Sequence, residues 1–313
     1  MRTAYYSHPA CRGHDMGPGH PESPQRLAAI ADHLIATGLN VALVERDAPL
    51  ATDADLGLAH ELGYVAEVRA FAQQVEQTGR RRALDADTVA GPGSLEAALR
   101  AAGAAVAATD EVIDGTVANA FCAVRPPGHH ATRRQAMGFC FFNNVAVAAR
   151  HALDRRGLER VAIVDFDVHH GNGTEDIVAN DPRILMVGYF QHPLYPHSGI
   201  VPLGANIHNF PVAPYTKGPE IRERIEQEWL PRLEAFKPQM LFVSAGFDAH
   251  RDDDLGQLGL VEADYAWITH RLVEVADRHA RGRIVSSLEG GYNLGALARS
   301  VAAHLRVLAG VAA

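Results

Sequence analysis

Residues 164–174 read VDFDVHHGNGT and set two aspartates and two histidines directly behind the apolar run Val161–Val164. In extended backbone, side chains two positions apart share a face. Asp165, Asp167 and His169 are therefore expected on one side of a strand end. Asp167 and His169 would offer a carboxylate oxygen and an imidazole nitrogen to one point, and Asp248 in GFDAH is a third candidate ligand from another strand end. Two carboxylates and a neutral imidazole neutralise a divalent ion and leave coordination positions open for water and substrate. Taken alone, an Asp-x-His pair is more often a polar cap that faces solvent. His170, of opposite parity to His169, is read as a supporting residue rather than a ligand.

A second group lies in RPPGHH, where His129 and His130 follow a Pro-Pro-Gly turn. Adjacent imidazoles in a loop can face one pocket, and their ordinary pKa suits proton transfer near neutrality. A histidine pair by itself is usually structural. Beside a metal site it becomes an acid/base candidate, provided that each ring has an orienting partner on its other nitrogen. Tyr292 follows Glu289-Gly290-Gly291, where paired glycines permit a tight bend, and its phenol could donate to an oxyanion.

Five short apolar runs read as buried strands: Phe121–Val124, Val161–Val164, Ile184–Val187, Met240–Val243 and Ile284–Ser287. Helical periodicity covers Ser94–Asp114, Asn143–Leu153, Glu220–Phe236 and Glu262–Arg281. This alternation predicts a parallel sheet covered on both faces, with ligands received in the crevice beyond the carboxyl ends of the strands. Four of the five runs lead straight into one of the polar motifs above. No linker or composition break divides residues 1–313, so one domain is expected.

The composition is that of a globular protein, 47% hydrophobic and 21% charged, with a net charge of −8 and scattered basic residues. It offers no electrostatic footprint for nucleic acid. No apolar run reaches membrane-spanning length, and the N-terminus has no signal-like apolar core. Cys11, Cys122 and Cys140 are odd in number and far apart, which suits a reducing, cytoplasmic setting. Nothing in these numbers excludes a homo-oligomer.

In order along residues 19–293, GHPESPQRL, RPPGHHA, GFCFFNN, DFDVHHGNGT, SAGFDAHRDDDLGQL and LEGGYN together resemble the histone deacetylase family, in particular its class II-like and bacterial amidohydrolase branches. The resemblance implies the arginase/deacetylase α/β fold, a parallel eight-stranded sheet between helices. It implies zinc held by Asp167, His169 and Asp248, and a general base and a proton donor divided between His129 and His130. It also implies that Asp165 orients His129, that Asn172 orients His130 where some members carry aspartate, and that Tyr292 polarises the acyl carbonyl. Gly138 and Phe139 in GFC, and Tyr195 in PLYPHSG, resemble the walls that clasp an acyl-lysine stem. Arg26 resembles the buried arginine of the acetate exit. A structural potassium ion near Asp165 and Asp167 is also implied, although Gly188 stands where relatives commonly show serine. Iron in place of zinc is compatible with this donor set.

Acetylated lysine in proteins or peptides, and acetylated polyamines, are the two substrate classes that the resemblance implies. Leu255 occupies the gatekeeper position where acetylpolyamine hydrolases of the class II type carry glutamate, which favours acyl-lysine. The neighbouring Asp252, Asp253 and Asp254 could attract a polycation, although such runs are usually solvated loops. A ureohydrolase on the same fold would need Asp-x-His-x-Asp, and Gly171 breaks that set. A catalytically silent acetyl-amine-binding protein remains the non-enzymatic alternative.

Overall fold

The computed structural model describes residues 2–311. Its strands are β1 (Thr3–Ser7), β2 (Leu43–Asp47), β3 (Arg82–Ala83), β4 (Val89–Ala90), β5 (Asn119–Cys122), β6 (Val161–Asp165), β7 (Ile184–Gln191), β8 (Ile207–Val212), β9 (Leu241–Ala245) and β10 (Ile284–Leu288). Eight of them form one parallel sheet in the order β2-β1-β5-β10-β9-β6-β7-β8, while β3 and β4 make a small antiparallel ladder. The five strands expected from sequence are the contiguous centre of this sheet. Every residue in them is buried, which is why they read as unbroken apolar runs.

Strands β1, β2 and β8 were not expected. The outermost, β2 and β8, are half-exposed and so lack that apolar signature. β8 also carries Pro211, which an edge strand tolerates because one row of its N–H groups needs no partner in the sheet.

Helices 94–113 and 144–154 pack on each other and on the sheet, and a second layer joins helices 25–36, 262–279 and 294–308. The helix expected over Glu220–Phe236 is instead three segments, with a wider π turn at Ile225–Trp229 between α-helical pieces. Pro231 supplies the reason, because it has no N–H to continue the ladder and its ring crowds the preceding turn. Among the described residues, no helix is long and apolar enough to cross a membrane.

Because the sheet is parallel, β5, β10, β9, β6 and β7 all end at the same rim, and the loops that follow them are neighbours in space. Behind that rim His304 ties the layers together. Its Nδ1 lies 2.7 Å from Thr269 Oγ1 and its Nε2 3.0 Å from Ser286 Oγ, joining helices 262–279 and 294–308 to β10. Burial pushes its pKa down to about 3. Between that value and the ordinary 6.5 the unfolded chain binds a proton that the folded one does not, so its contribution to stability is complete above 6.5 and is lost as pH falls through this window. In a histidine NMR titration, His304 is expected to stay neutral from pH 8 down to pH 4. Titration near 6.5 would show that the network is open to water.

Candidate active site

β6 ends at Asp165, and the chain then bends rather than continuing extended. Asp165 Oδ1 accepts the Asp167 N–H at 3.1 Å, and Asp167 Oδ1 accepts the His169 N–H at 2.8 Å. The expected same-side arrangement holds, but successive side-chain-to-backbone turns produce it rather than strand alternation. His170 points elsewhere, with Nδ1 at 2.8 Å from Ser198 Oγ and Nε2 at 2.5 Å from Glu175.

Asp167, His169 and Asp248 converge, each offering one ligand atom within 4.8 Å of the others, and all three are buried. His169 Nδ1 stands 3.0 Å from Asp167 Oδ1 and 3.2 Å from Asp248 Oδ2. Ligands held about 2.0–2.2 Å from a tetrahedral ion are separated by roughly 3.3–3.6 Å, a few tenths of an ångström wider than this spacing. Backbone N–H groups of Gly290 and Val168 hold the outer oxygens, donating to Asp167 Oδ2 at 2.8 Å and to Asp248 Oδ1 at 2.9 Å. Asp248 Oδ2 is buried and takes no hydrogen bond. Burial and the Asp167 charge push the Asp248 carboxyl up to about 7. A withdrawn, unanswered carboxylate oxygen beside an imidazole fits a cation. A Cβ at Gly290 would run into both carboxylates, so only glycine admits this approach. At the expected potassium position, Gly188 pairs with Asp165 in the sheet and brings no hydroxyl.

The tandem histidines face the same point. His129 Nδ1 lies 3.0 Å from Asp165 Oδ2, and its Nε2 lies 3.8 Å from Asp167 Oδ1. Burial opposes its charge, yet Asp167 and Asp165 outweigh burial and hold its pKa up to about 10. His130 Nδ1 lies 2.8 Å from Asn172 Oδ1, an uncharged partner. Burial, with His129 and His169 beside it, pushes the His130 pKa far down. Glu289 was not anticipated from sequence as a site residue. Its Oε2 accepts the N–H groups of Gly128 at 2.6 Å and His129 at 3.1 Å, fixing the histidine loop to the end of β10.

A cavity of about 290 Å³ opens above these groups, lined by His130, Gly138, Phe139, His169, Leu194, Tyr195, Leu255, Tyr292 and Asp87. Phe139, Tyr195, Gly138 and Leu255 thus stand in its wall as expected. The His130 and Tyr195 rings meet edge-on with centroids 5.2 Å apart, as do Phe139 and Tyr292 at 6.0 Å. Gly138 has φ +56°, and a Cβ there would strike the His130 ring. Asp87, which sequence reasoning missed, accepts the Gly138 N–H at 2.9 Å. It sits in DADT, a stretch with no periodicity to mark it. Arg26 lies buried under the Tyr292 ring, 5.0 Å from its centroid, and donates to the carbonyls of Gly291 at 2.7 Å and Glu289 at 2.5 Å. These bonds make it a brace for the Tyr292 loop.

The acidic triplet does not behave as the usual solvated run. Asp252 and Asp254 are exposed, but Asp253 is buried and bonded to backbone, and none of the three lines the cavity.

The histone deacetylase domain profile matches residues 20–308. An uncharacterized protein of Synechocystis is 41% identical, the alignment covering 94% of this chain and 95% of that protein. A histone deacetylase-like amidohydrolase of Pseudomonas aeruginosa is 36% identical over 93% of this chain and 82% of its own length. The solved HD domain of HDA15 superposes with a TM-score of 0.92 at 34% identity, over 99% of this chain and 89% of that one.

Calorimetric titration of the metal-free protein with Zn²⁺ is expected to show one tight site. Asp248→Ala should weaken it by more than the ~10–100-fold that loss of a ligand's outer partner costs, whereas Asp252→Ala, at an exposed position, should leave it unchanged.

Proposed function

The chain belongs to the histone deacetylase family, and from that premise we propose that it is a zinc-dependent amidohydrolase that removes acetyl or related acyl groups from the side-chain amine of lysine. The observation that carries this reading is the convergence of a buried Asp-His-Asp set and two separately oriented histidines beside one cavity, into whose wall His130, His169 and Tyr292 project. Residues 1–313 are read as one catalytic domain, in a reducing, cytoplasmic setting where its three cysteines stay free.

Asp167, His169 and Asp248 would hold the ion, zinc by assignment and iron as the alternative. When bound, a divalent ion there supplies Lewis acidity toward a carbonyl oxygen and makes a coordinated water more acidic. The chain's own groups do the rest. Phe139, Tyr195, Leu194 and Leu255 exclude water from an aliphatic stem. His130, whose partner Asn172 is neutral, takes the proton of the attacking water and returns it to the leaving nitrogen. His129, kept protonated by Asp167 and Asp165, places positive charge beside the reacting carbon's oxygens. Tyr292 donates its phenolic hydrogen to the acyl oxygen as charge develops there. Amide and water become acetate and a free amine.

Leu255 supports the acyl-lysine reading, because a leucine offers nothing to a second ammonium group. Asp87 favours a second reading, acetylpolyamine hydrolysis, since it places a carboxylate in the cavity wall.

Zinc-loaded protein is expected to release acetate from an acetyl-lysine peptide, and Tyr292→Phe should lower kcat about 10²–10³-fold with little change in KM. Acetate release from neither an acetyl-lysine peptide nor N-acetylputrescine would remove the hydrolase reading and leave a binding protein. A ratio of kcat/KM of about a hundred in favour of the peptide, ~2.7 kcal/mol of discrimination, is expected over N-acetylputrescine. The reverse preference, abolished by Asp87→Asn, would establish the polyamine reading instead.

A further inference from the structure

Asp253 is the middle member of an acidic run, yet it is only 6% exposed. Its carboxylate is aimed at backbone on both sides. Oδ2 accepts the N–H of Tyr292 at 2.6 Å and of Asn293 at 2.9 Å, and Oδ1 accepts the N–H of Leu255 at 3.1 Å. Tyr292 and Leu255 are two walls of the same cavity. One side chain therefore joins the gate to the phenol.

The need for such a tie lies in the residues just before Tyr292. Gly290 and Gly291 are required by close packing and by a φ of +117° at Gly291, and two consecutive glycines leave a hinge wherever nothing restrains them. Arg26 holds the near side of the hinge through the Glu289 and Gly291 carbonyls. On the far side Asn293 caps helix 294–308 by accepting the Ala296 N–H at 3.0 Å. Tyr292 stands between these anchors, and its own N–H is fixed by Asp253. Hydrogen bonds to an ionised acceptor are about twice as strong as neutral ones, so this carboxylate is well suited to stop the loop from pivoting.

We propose that Asp253 is a positioning residue for Tyr292, holding the phenol over the reacting carbonyl and fixing its distance from Leu255. It touches no substrate and acts through the backbone of its two neighbours. The inference rests on the role assigned to Tyr292 above.

The test compares wild type, Asp253→Asn, Tyr292→Phe and the double variant, all zinc-loaded, on an acetyl-lysine peptide and on its trifluoroacetyl analogue. Asp253→Asn puts an N–H₂ donor opposite N–H groups, so kcat on the acetyl peptide should fall roughly 10–100-fold, the scale of a 1 Å misplacement, with KM held within about threefold. The trifluoroacetyl carbonyl is more electrophilic and needs less help at its oxygen, so the loss there should be smaller. The double variant should be no slower than Tyr292→Phe, because a phenol that is absent cannot be misplaced.

Multiplied losses in the double variant, or equal losses on both substrates, would overturn the inference while leaving Tyr292 in its role. Full activity in Tyr292→Phe would overturn that role and this inference with it. If Asp253→Asn does not fold, Asp253→Ser, which keeps one acceptor oxygen, carries the same comparison. Failure of both to fold would mark Asp253 as structural and overturn the proposal.

Discussion

Three carboxylates, Asp165, Asp167 and Asp248, are withdrawn from water within one small volume. An ionised carboxylate in a protein interior costs several kcal/mol unless it is paired and hydrogen-bonded. The rim of the sheet is built around that cost. Asp167 takes backbone N–H groups from His169 and Gly290, Asp165 takes one from Asp167, and Asp248 takes one from Val168. His129, held protonated by Asp167 and Asp165, supplies the neighbouring positive charge. Gly246 and Gly290 exist at these positions because a Cβ at either would fall on the Asp167 carboxylate. What remains unanswered is a single oxygen, Asp248 Oδ2, which the chain leaves to a cation.

A second buried ionic layer supports the first. Glu22 accepts from Arg125 through both carboxylate oxygens and from Arg26 at 3.1 Å, with His14 close by. Burial would raise its carboxyl, but Arg125 and Arg26 hold it down to about 2. Arg125 also donates to the carbonyls of Cys11 and His14, each at 2.9 Å, so the N-terminal segment is bonded to the end of β5. From there the chain runs through two prolines to His129, whose N–H is held by Glu289. The histidine loop and the tyrosine loop are thus braced by Arg125 and Arg26 through one shared carboxylate, and a displacement of either strains the other.

The parts of this arrangement visible in the sequence were those with a local signature. Central strands announce themselves because both faces are buried, and Asp-x-Asp-x-His, tandem histidines and Glu-Gly-Gly-Tyr are short enough to be seen whole. The outer strands β2 and β8 were hidden because a half-exposed strand looks like any polar loop. Glu289, Asp87 and Asp253 were hidden for a different reason. Each acts on backbone N–H groups far away in sequence, 161, 51 and 39 positions from the first group it holds, and a carboxylate carries no local mark of what it will meet. The parity reasoning at Asp165–His169 placed these side chains on one side through extended backbone, where turn geometry produces the arrangement.

Asp87 and Asp253 use one device on two parts of the cavity wall. Asp87 Oδ1 takes the Gly138 N–H and the Thr88 hydroxyl, while Thr88 in turn receives the Phe139 N–H at 3.1 Å. Gly138 and Phe139 are consecutive residues with positive φ, +56° and +68°; glycine adopts this freely, but Phe139 is strained there and persists only when its surroundings fix it. Asp253 does the same for Leu255 and Tyr292. In both cases the carboxylate is directed inward, at the wall it secures, and its charge is already answered in part by backbone dipoles. Counting acidic residues near the mouth therefore overstates its pull on a cationic substrate. The rest of the cavity wall is largely apolar, formed by Leu194, Tyr195, Phe139 and Leu255.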